Sequence, residues 1–369
     1  MSVLKRLPWC CAAAFAFAMP AAMFAGPILT FAQTNLVSDI PGMAARTDPN
    51  LKNPWGIATS ATSPFWISDN GTGVSTLYNT AGVPQALVVT IPKLGGGVSA
   101  PTGQVFNGTS SVFNGDLFIF ATEDGTIAGW RGALGTTAEI LSNSAAGGAV
   151  FKGLAIGTTA NGTYLYAADF ANGKIAVLPG GAAPALSGTF TDPTLPSGFA
   201  PFNIQNLNGQ LYVTYAKKAP GSNDDQAGPG NGYVSVFDLN GNFQKRLISN
   251  GPLNSPWGLA IAPATFGTLG GDLLVGNFGD GTINAFDPTG AFLGTLSDAT
   301  GNPLVNDGLW GLKFGNGGNG GRTWSLYITA GLNGEENGLF AQVDAVPEPG
   351  TWGLLAGGAL VLTMLKRRR

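Results

Sequence analysis

The chain has 369 residues, 57 of them Gly, with 11% charged side chains, two Cys, no His and a formal net charge of −3. The missing His excludes Ser-His-Asp triads, histidine general bases and histidine-ligated zinc or copper. With 44% apolar residues and no long apolar run between residues 33 and 350, the composition indicates an all-β globular body, not a disordered chain.

In chain order, a secretory pattern comes first. Lys5 and Arg6 precede an almost wholly apolar stretch, residues 7–24, and small residues follow. Residues 1–32 therefore read as a signal peptide, with cleavage after Ala25 or after Ala32. The shortness of the stretch and its Ala and Pro content disfavour an uncleaved membrane anchor. Cys10 and Cys11 both lie inside it. Leu7-Pro8-Trp9 is not a lipidation box, and the exported chain has no cysteine left for a disulfide. Without Lys5, Arg6 and the four C-terminal cations, 12 basic residues face 21 acidic ones, a net charge near −9. An acidic surface without Lys/Arg clusters argues against nucleic acid as a partner.

The body, residues 33–345, repeats one phrase. An apolar strand is followed by a second ending at Asp or Asn, a Gly turn, then a third and a fourth strand. Asn53-Pro54-Trp55-Gly56, Ser255-Pro256-Trp257-Gly258 and Asp307-Gly308-Leu309-Trp310-Gly311 open the three clearest copies. Weaker copies open at Pro101-Thr102-Gly103, Lys152-Gly153-Leu154 and Pro201-Phe202-Asn203. Six copies thus begin near residues 53, 101, 149, 199, 255 and 307. Asn-Gly and Asp-Gly pairs such as Asn161-Gly162, Asn208-Gly209 and Asp280-Gly281 mark hairpins between them.

Four strands in each of six copies predict a six-bladed β-propeller, with a β-sandwich or β-helix as the alternatives. The last copy lacks a fourth strand, and residues 30–38 form a strand without a blade. They are expected to supply the outer strand of the last blade and close the ring.

The segment Tyr164-Leu165-Tyr166-Ala167-Ala168-Asp169-Phe170-Ala171-Asn172-Gly173-Lys174-Ile175 resembles the repeat of NHL-type six-bladed propellers. The Pro-Trp-Gly segments and Ala227-Gly228-Pro229-Gly230-Asn231-Gly232 resemble an uncharacterised family of exported bacterial propellers. That resemblance covers most of the body and implies no established activity.

In a propeller, the start of each inner strand and the end of each second strand ring one mouth of the central channel. The first set is Trp55, Gln104, Lys152, Asn203, Trp257 and Trp310. The second is Asp69, Glu123 or Asp124, Asp169, Tyr215 and Asn277. Such a face could bind a sugar, a peptide or a cation. Two plainer readings compete. Trp in Pro-Trp-Gly packs blades, and Asp before Gly caps turns.

The insertion 217–232 offers Asn223, Asp224 and Asp225 as oxygen ligands for a hard cation, although their spacing is not that of an EF-hand loop. The Gly-rich stretch 315–321 lacks the Lys-Ser/Thr of a phosphate loop and reads as a hairpin loop. Lactonase-like propellers resemble this fold. That resemblance implies a channel Ca²⁺ held by Glu, Asn and Asp, with Asn203 and Asn277 as the channel amides here and Asp69 or Asp169 as a base.

The chain ends on Val346-Pro347-Glu348-Pro349-Gly350, an uncharged run of 15 residues from 351 to 365, and Lys366-Arg367-Arg368-Arg369. At about 1.5 Å per residue the run falls short of a hydrocarbon core of roughly 30 Å. The tripartite segment 346–369 resembles the PEP-CTERM sorting signal of Gram-negative bacteria. The resemblance implies export, a transient inner-membrane helix, the basic tail Arg367, Arg368 and Arg369 on the cytoplasmic side, and processing near Pro347 by an exosortase.

The expected function is a non-catalytic binding or scaffold propeller of the cell envelope or extracellular matrix, with a glycan, peptide or matrix component as partner. The rival is a Ca²⁺-dependent lactonase-like hydrolase or polysaccharide lyase working in the channel. A spacer without a ligand site is the third reading.

Overall fold

Runs such as Phe65-Trp66-Ile67-Ser68-Asp69 are aromatic and β-branched, and Asn70-Gly71 breaks them. The extended backbone is favoured within the run and a reversal just after it. A computed structural model of the protein describes residues 30–346. The expected signal peptide, up to residue 29, and the sorting segment from Pro347 onward lie outside the described residues. Six antiparallel sheets succeed one another along the chain. Their inner strands are Pro54–Ala58, Pro101–Phe106, Phe151–Thr159, Phe199–Leu207, Pro256–Ile261 and Leu309–Phe314. These six blades form the propeller that the repeats predict.

Ring closure follows the expectation. Phe31–Ser38 pairs antiparallel with Asn337–Ala345 and becomes the outer strand of the sixth blade. Ser38 Oγ donates to the Gly338 carbonyl at 2.6 Å, and Phe31 stacks on Phe266 at a centroid distance of 4.9 Å. The strand starts at Phe31, two residues ahead of the expected domain start at 33. A two-residue strand, Arg46–Thr47, runs parallel at its edge.

The third blade departs from four strands. It holds only Phe151–Thr159, Gly162–Asp169 and Lys174–Pro179. The chain that should form its outer strand carries Gly180, Gly181, Pro184, Pro193 and Pro196, which cannot sustain a ladder. It crosses to the fourth blade instead. Phe190 is buried against Tyr166 and Phe237. Asp192 accepts Ser235 Oγ at 2.7 Å and pairs with Arg246 at 2.6 Å.

Apolar clusters lie between successive blades. Nearest the axis, the inner strands almost touch. A Cβ on Gly56 would lie 2.6 Å from the Thr102 carbonyl oxygen, and one on Gly311 2.6 Å from that of Trp55. Gly103, Gly153 and Gly258 meet the next inner strand in the same way. Among the described residues no helix is long and apolar enough to cross a membrane.

The tight ring yields a stability prediction. Gly56→Ala should destabilise the protein by about 1–3 kcal/mol in urea unfolding, because backbone must move to admit the methyl. A Cβ at Gly132 would meet nothing within 4 Å. Gly132→Ala should therefore stay within about 0.5 kcal/mol of the parent. Equal effects would show that inner-strand spacing is not limiting.

Candidate functional site

Each inner strand breaks register once, near its start. The shifts fall at Pro54/Ile57, Pro101/Gln104, Phe151/Gly153, Pro201/Asn203, Pro256/Gly258 and Leu309/Leu312. A bulge leaves a residue out of the ladder and re-aims its side chain. The residues set free here are Trp55, Thr102, Lys152, Phe202, Trp257 and Trp310. The glycine of close approach follows in five of the six, and Asn203 follows in the fourth blade.

The bulged aromatics close the channel. Trp55 stacks on Trp310 at 3.5 Å, and Trp257 meets both edge-on at 6.0 and 5.6 Å. Phe278 stacks on Trp310 at 4.1 Å, and Phe202 lies 5.7 Å from it. The contacts Trp55–Trp257 and Phe202–Trp310 join blades that are not neighbours, so they cross the axis. Trp55 and Trp257 are 2% exposed and Trp310 1%. The structure thus brings the three Trp together, but as a buried plug and not as a ligand-facing surface. Trp257 Nε1 donates to the Lys152 carbonyl at 3.0 Å, and Trp310 Nε1 to Asn53 Oδ1 at 3.0 Å.

A polar cap covers the plug. Lys152 Nζ lies 5.2 Å from the Trp55 ring centroid, 2.5 Å from Glu123 Oε1 and 3.8 Å from Asp224 Oδ1. Asn70 Nδ2 donates to Glu123 Oε2 at 3.0 Å, and Asn53 Nδ2 to Glu335 Oε1 at 3.1 Å. Four carboxylates, on Glu123, Asp224, Asp225 and Glu335, surround one ammonium. Burial pushes the Asp225 and Glu335 carboxyls above their ordinary values, and Lys152 opposes the shift in both.

Glu335 reaches this position from a left-handed segment, with φ 55° at Asn333, 66° at Gly334 and 71° at Glu335. Asn53 and Ser255, each just before a Pro-Trp-Gly, have φ 44° and 46°. Left-handed non-Gly residues cost energy and concentrate where the surroundings hold them in place.

The other expected face residues serve the blades. Asn203 is not the register equivalent of Trp55, and Phe202 takes that place. Asn203 fills the space beside Gly153 and donates to the Trp257 carbonyl at 2.7 Å. Gln104 likewise sits two residues past its bulged Thr102. Asp69 is buried in the first blade, where its Oδ2 accepts the Thr76 hydroxyl at 2.7 Å and backbone N–H at 3.1 Å. Asp169 accepts from Val150 N and from Asn172, and so caps a turn. Asn277 binds Asn254 N, the Pro252 carbonyl and Asp280. Tyr215 lies in the core between the third and fourth blades.

Of the expected cation ligands Asn223, Asp224 and Asp225, the middle one already has partners. Asp224 accepts the Ser222 hydroxyl at 2.7 Å and turns toward Lys152. Among the described residues no group of three or more carboxylates is placed to hold a metal. The inventory of the mouth from sequence missed Asn53, Phe202, Phe278 and Glu335. Asn53 and Phe202 flank the opening motifs and were legible there. Glu335 carries no such signal.

The cap makes a pH-dependent prediction. Glu335 has a folded pKa above its unfolded one, so its ionisation penalises the folded state as pH rises through the ordinary carboxylate value toward the raised one. Below the ordinary value the penalty is absent. Glu335→Gln keeps an acceptor for Asn53 and removes the charge. Its urea midpoint should exceed the parent's at pH 7 and converge on it near pH 4. A gap of the same size at both pH values would sink this account.

Comparison with known proteins supplies relatives and a fold. No family model matches the chain. Among solved structures, a streptogramin B lyase covers 86% of this chain and 99% of its own at TM-score 0.51 and 12% identity. A Bacteroides thetaiotaomicron protein of unknown function covers 86% of this chain and 76% of its own at TM-score 0.53 and 13% identity. At such identities the likeness is one of fold. An uncharacterised protein of Acanthamoeba polyphaga mimivirus is 36% identical over 301 residues, which are 77% of this chain and 74% of the relative. A second from the same virus is 35% identical over 304 residues, 77% of this chain and 79% of that one. The chain belongs to the same family as these two uncharacterised mimivirus proteins.

Proposed function

We propose that this is an exported, non-catalytic binding or scaffold propeller of a cell envelope or extracellular matrix. Its partner is a glycan, a peptide or another matrix component, held by the polar cap. One observation carries the reading. The aromatic plug shuts the channel directly beneath Lys152, so a ligand on this face meets the cap and not a deep reaction chamber. Two of the cap carboxylates, Glu123 and Glu335, are already engaged with Lys152, Asn70 and Asn53. Three Trp buried as one unit are a framework: Trp310→Ala would cost on the order of 3–5 kcal/mol of folding stability and would report nothing about binding.

A second reading keeps one specific support. Asp225 and Glu335, two carboxyls with raised pKa beside a lysine, are of the kind that transfers protons. A hydrolase or lyase with a bound Ca²⁺ would use them. The two readings separate in thermal melts of the full chain with chelator, with added Ca²⁺, and with a panel of acidic and neutral polysaccharides. The binding reading expects no chelator response and a glycan shift lost in Glu123→Gln. A large chelator loss restored by Ca²⁺ would favour the enzyme.

Export follows from segments outside the described residues. The signal peptide is cleaved after Ala25, because cleavage after Ala32 would remove Phe31, which is 3% exposed and stacked on Phe266. At the other end an exosortase-type enzyme recognises Val346, Pro347, Glu348 and Pro349, after the short helix and Arg367, Arg368 and Arg369 have paused the chain in the inner membrane of a Gram-negative host. Replacing Pro347, Glu348 and Pro349 by Ala should trap unprocessed protein in the membrane fraction of such a host. Mass spectrometry of the released form should find an N-terminus before Thr30. Normal release of the triple variant would reject the sorting assignment.

A further inference from the structure

The opposite mouth of the channel carries a different chemistry. Past the plug, the later halves of five inner strands enclose a cavity of about 270 Å³. Ile57, Gln104, Leu154, Gln205 and Lys313 contribute to its wall, each from a different blade. Lys313 is the one charged residue lining it, and among the described residues it makes no ion pair. Burial pulls its amine below the usual lysine value.

A second group points the same way. Gln104 is 7% exposed, and its Oε1 accepts the Ser68 hydroxyl at 2.9 Å. Its Nε2 is buried with no partner. A buried donor without an acceptor is costly and calls for an explanation. Asn206, also on the wall, is already committed to the Ile156 carbonyl and Gly209 N. The cavity therefore offers an unpaired ammonium, an unpaired amide N–H group, a further amide at Gln205 without a hydrogen bond among the described residues, and apolar walls.

We infer that this cavity binds a small organic monocarboxylate of the sugar-acid class, its carboxylate held by Lys313 and Gln104. Lys313 and the unpartnered Gln104 amide both belong to the wall of a cavity whose lining holds no carboxylate, and such donors select an anion by charge-assisted hydrogen bonds. One ammonium balances one negative charge. At a liquid share of about 30 Å³ per water, the space suits a ligand the size of one sugar ring. Gln205 meets its hydroxyls, and Ile57 and Leu154 its carbon skeleton. The acid could be free or the end residue of an acidic polysaccharide, since both present the same group. The site is separate from the polar cap and does not depend on the role proposed for it.

Isothermal titration of the full chain tests this with glucuronate, its methyl ester, a glucuronate oligomer and inorganic phosphate. Glucuronate should saturate one site, and the uncharged ester should bind at least tenfold more weakly. Saturation by the oligomer as well would identify a polysaccharide end as the source, and its failure would identify the free acid. Lys313→Gln should weaken glucuronate at least tenfold, Lys313→Arg less, and exposed Lys93→Gln not at all. Reductive methylation of the unaltered protein supplies a readout that needs no variant to fold. Glucuronate should protect Lys313 and leave Lys93 reactive. Absence of saturation, tighter binding of phosphate than of glucuronate, unchanged affinity in a folded Lys313→Gln protein, or unprotected Lys313 would each overturn the assignment.

Discussion

The close approach of the six inner strands is the constraint on which the rest depends. Six strands converging on one axis leave no room for side chains at their closest point, and five of the six place Gly there. The sixth places Asn203, whose amide spans the gap to the Trp257 carbonyl. Contact this tight cannot continue along the whole strand, and a bulge relieves it in every blade. In four blades the bulge puts a large aromatic residue on the axis. Trp55, Trp257, Trp310 and Phe202 fill the space that the glycines and bulges create together, and a channel becomes a core.

The plug also divides the electrostatics of the molecule. Above it, Lys152 is nearly buried against the Trp55 ring and is held by Glu123 and Asp224. A desolvated ammonium needs such partners. The excess of carboxylates over cations then raises two of them, Asp225 and Glu335. Below it, Lys313 faces amides and aliphatic side chains with no carboxylate in reach. One lysine per mouth, one paired and one unpaired, gives the two ends of the same channel opposite affinities. Four of the nine left-handed non-Gly residues among those described, Asn53, Ser255, Asn333 and Glu335, belong to the segments that form the upper mouth.

Much of the fold was legible in the sequence, because hairpins are local events. The alternation of Phe65 to Asp69, the Gly turns and the repeated Pro-Trp-Gly reported blade number, inner-strand starts and the closing strand. The missing outer strand of the third blade was legible too, in the Gly and Pro after Pro179, but a repeat count fills such a gap by analogy with its neighbours. The site was read less well. The Asp and Asn before Gly turns were chemistry-bearing by type, yet Asp169 and Asn277 bind within or beside their own turns, as that local spacing favours, and Asp69 binds Thr76 on the next strand.

The sequence by itself determined the repeat, its six copies, the strand that closes the ring and the absence of histidine chemistry, since each depends on residues near one another in the chain or on composition alone. Only the tertiary structure decided which residues meet. A one-residue bulge exchanges Phe202 for Asn203 on the axis, a left-handed turn lifts Glu335 over Lys152, and Lys313 and Gln104, 209 positions apart in number, line one cavity. Closure of a ring couples residues by angle about an axis, and that angle is set by packing between blades rather than by distance along the chain.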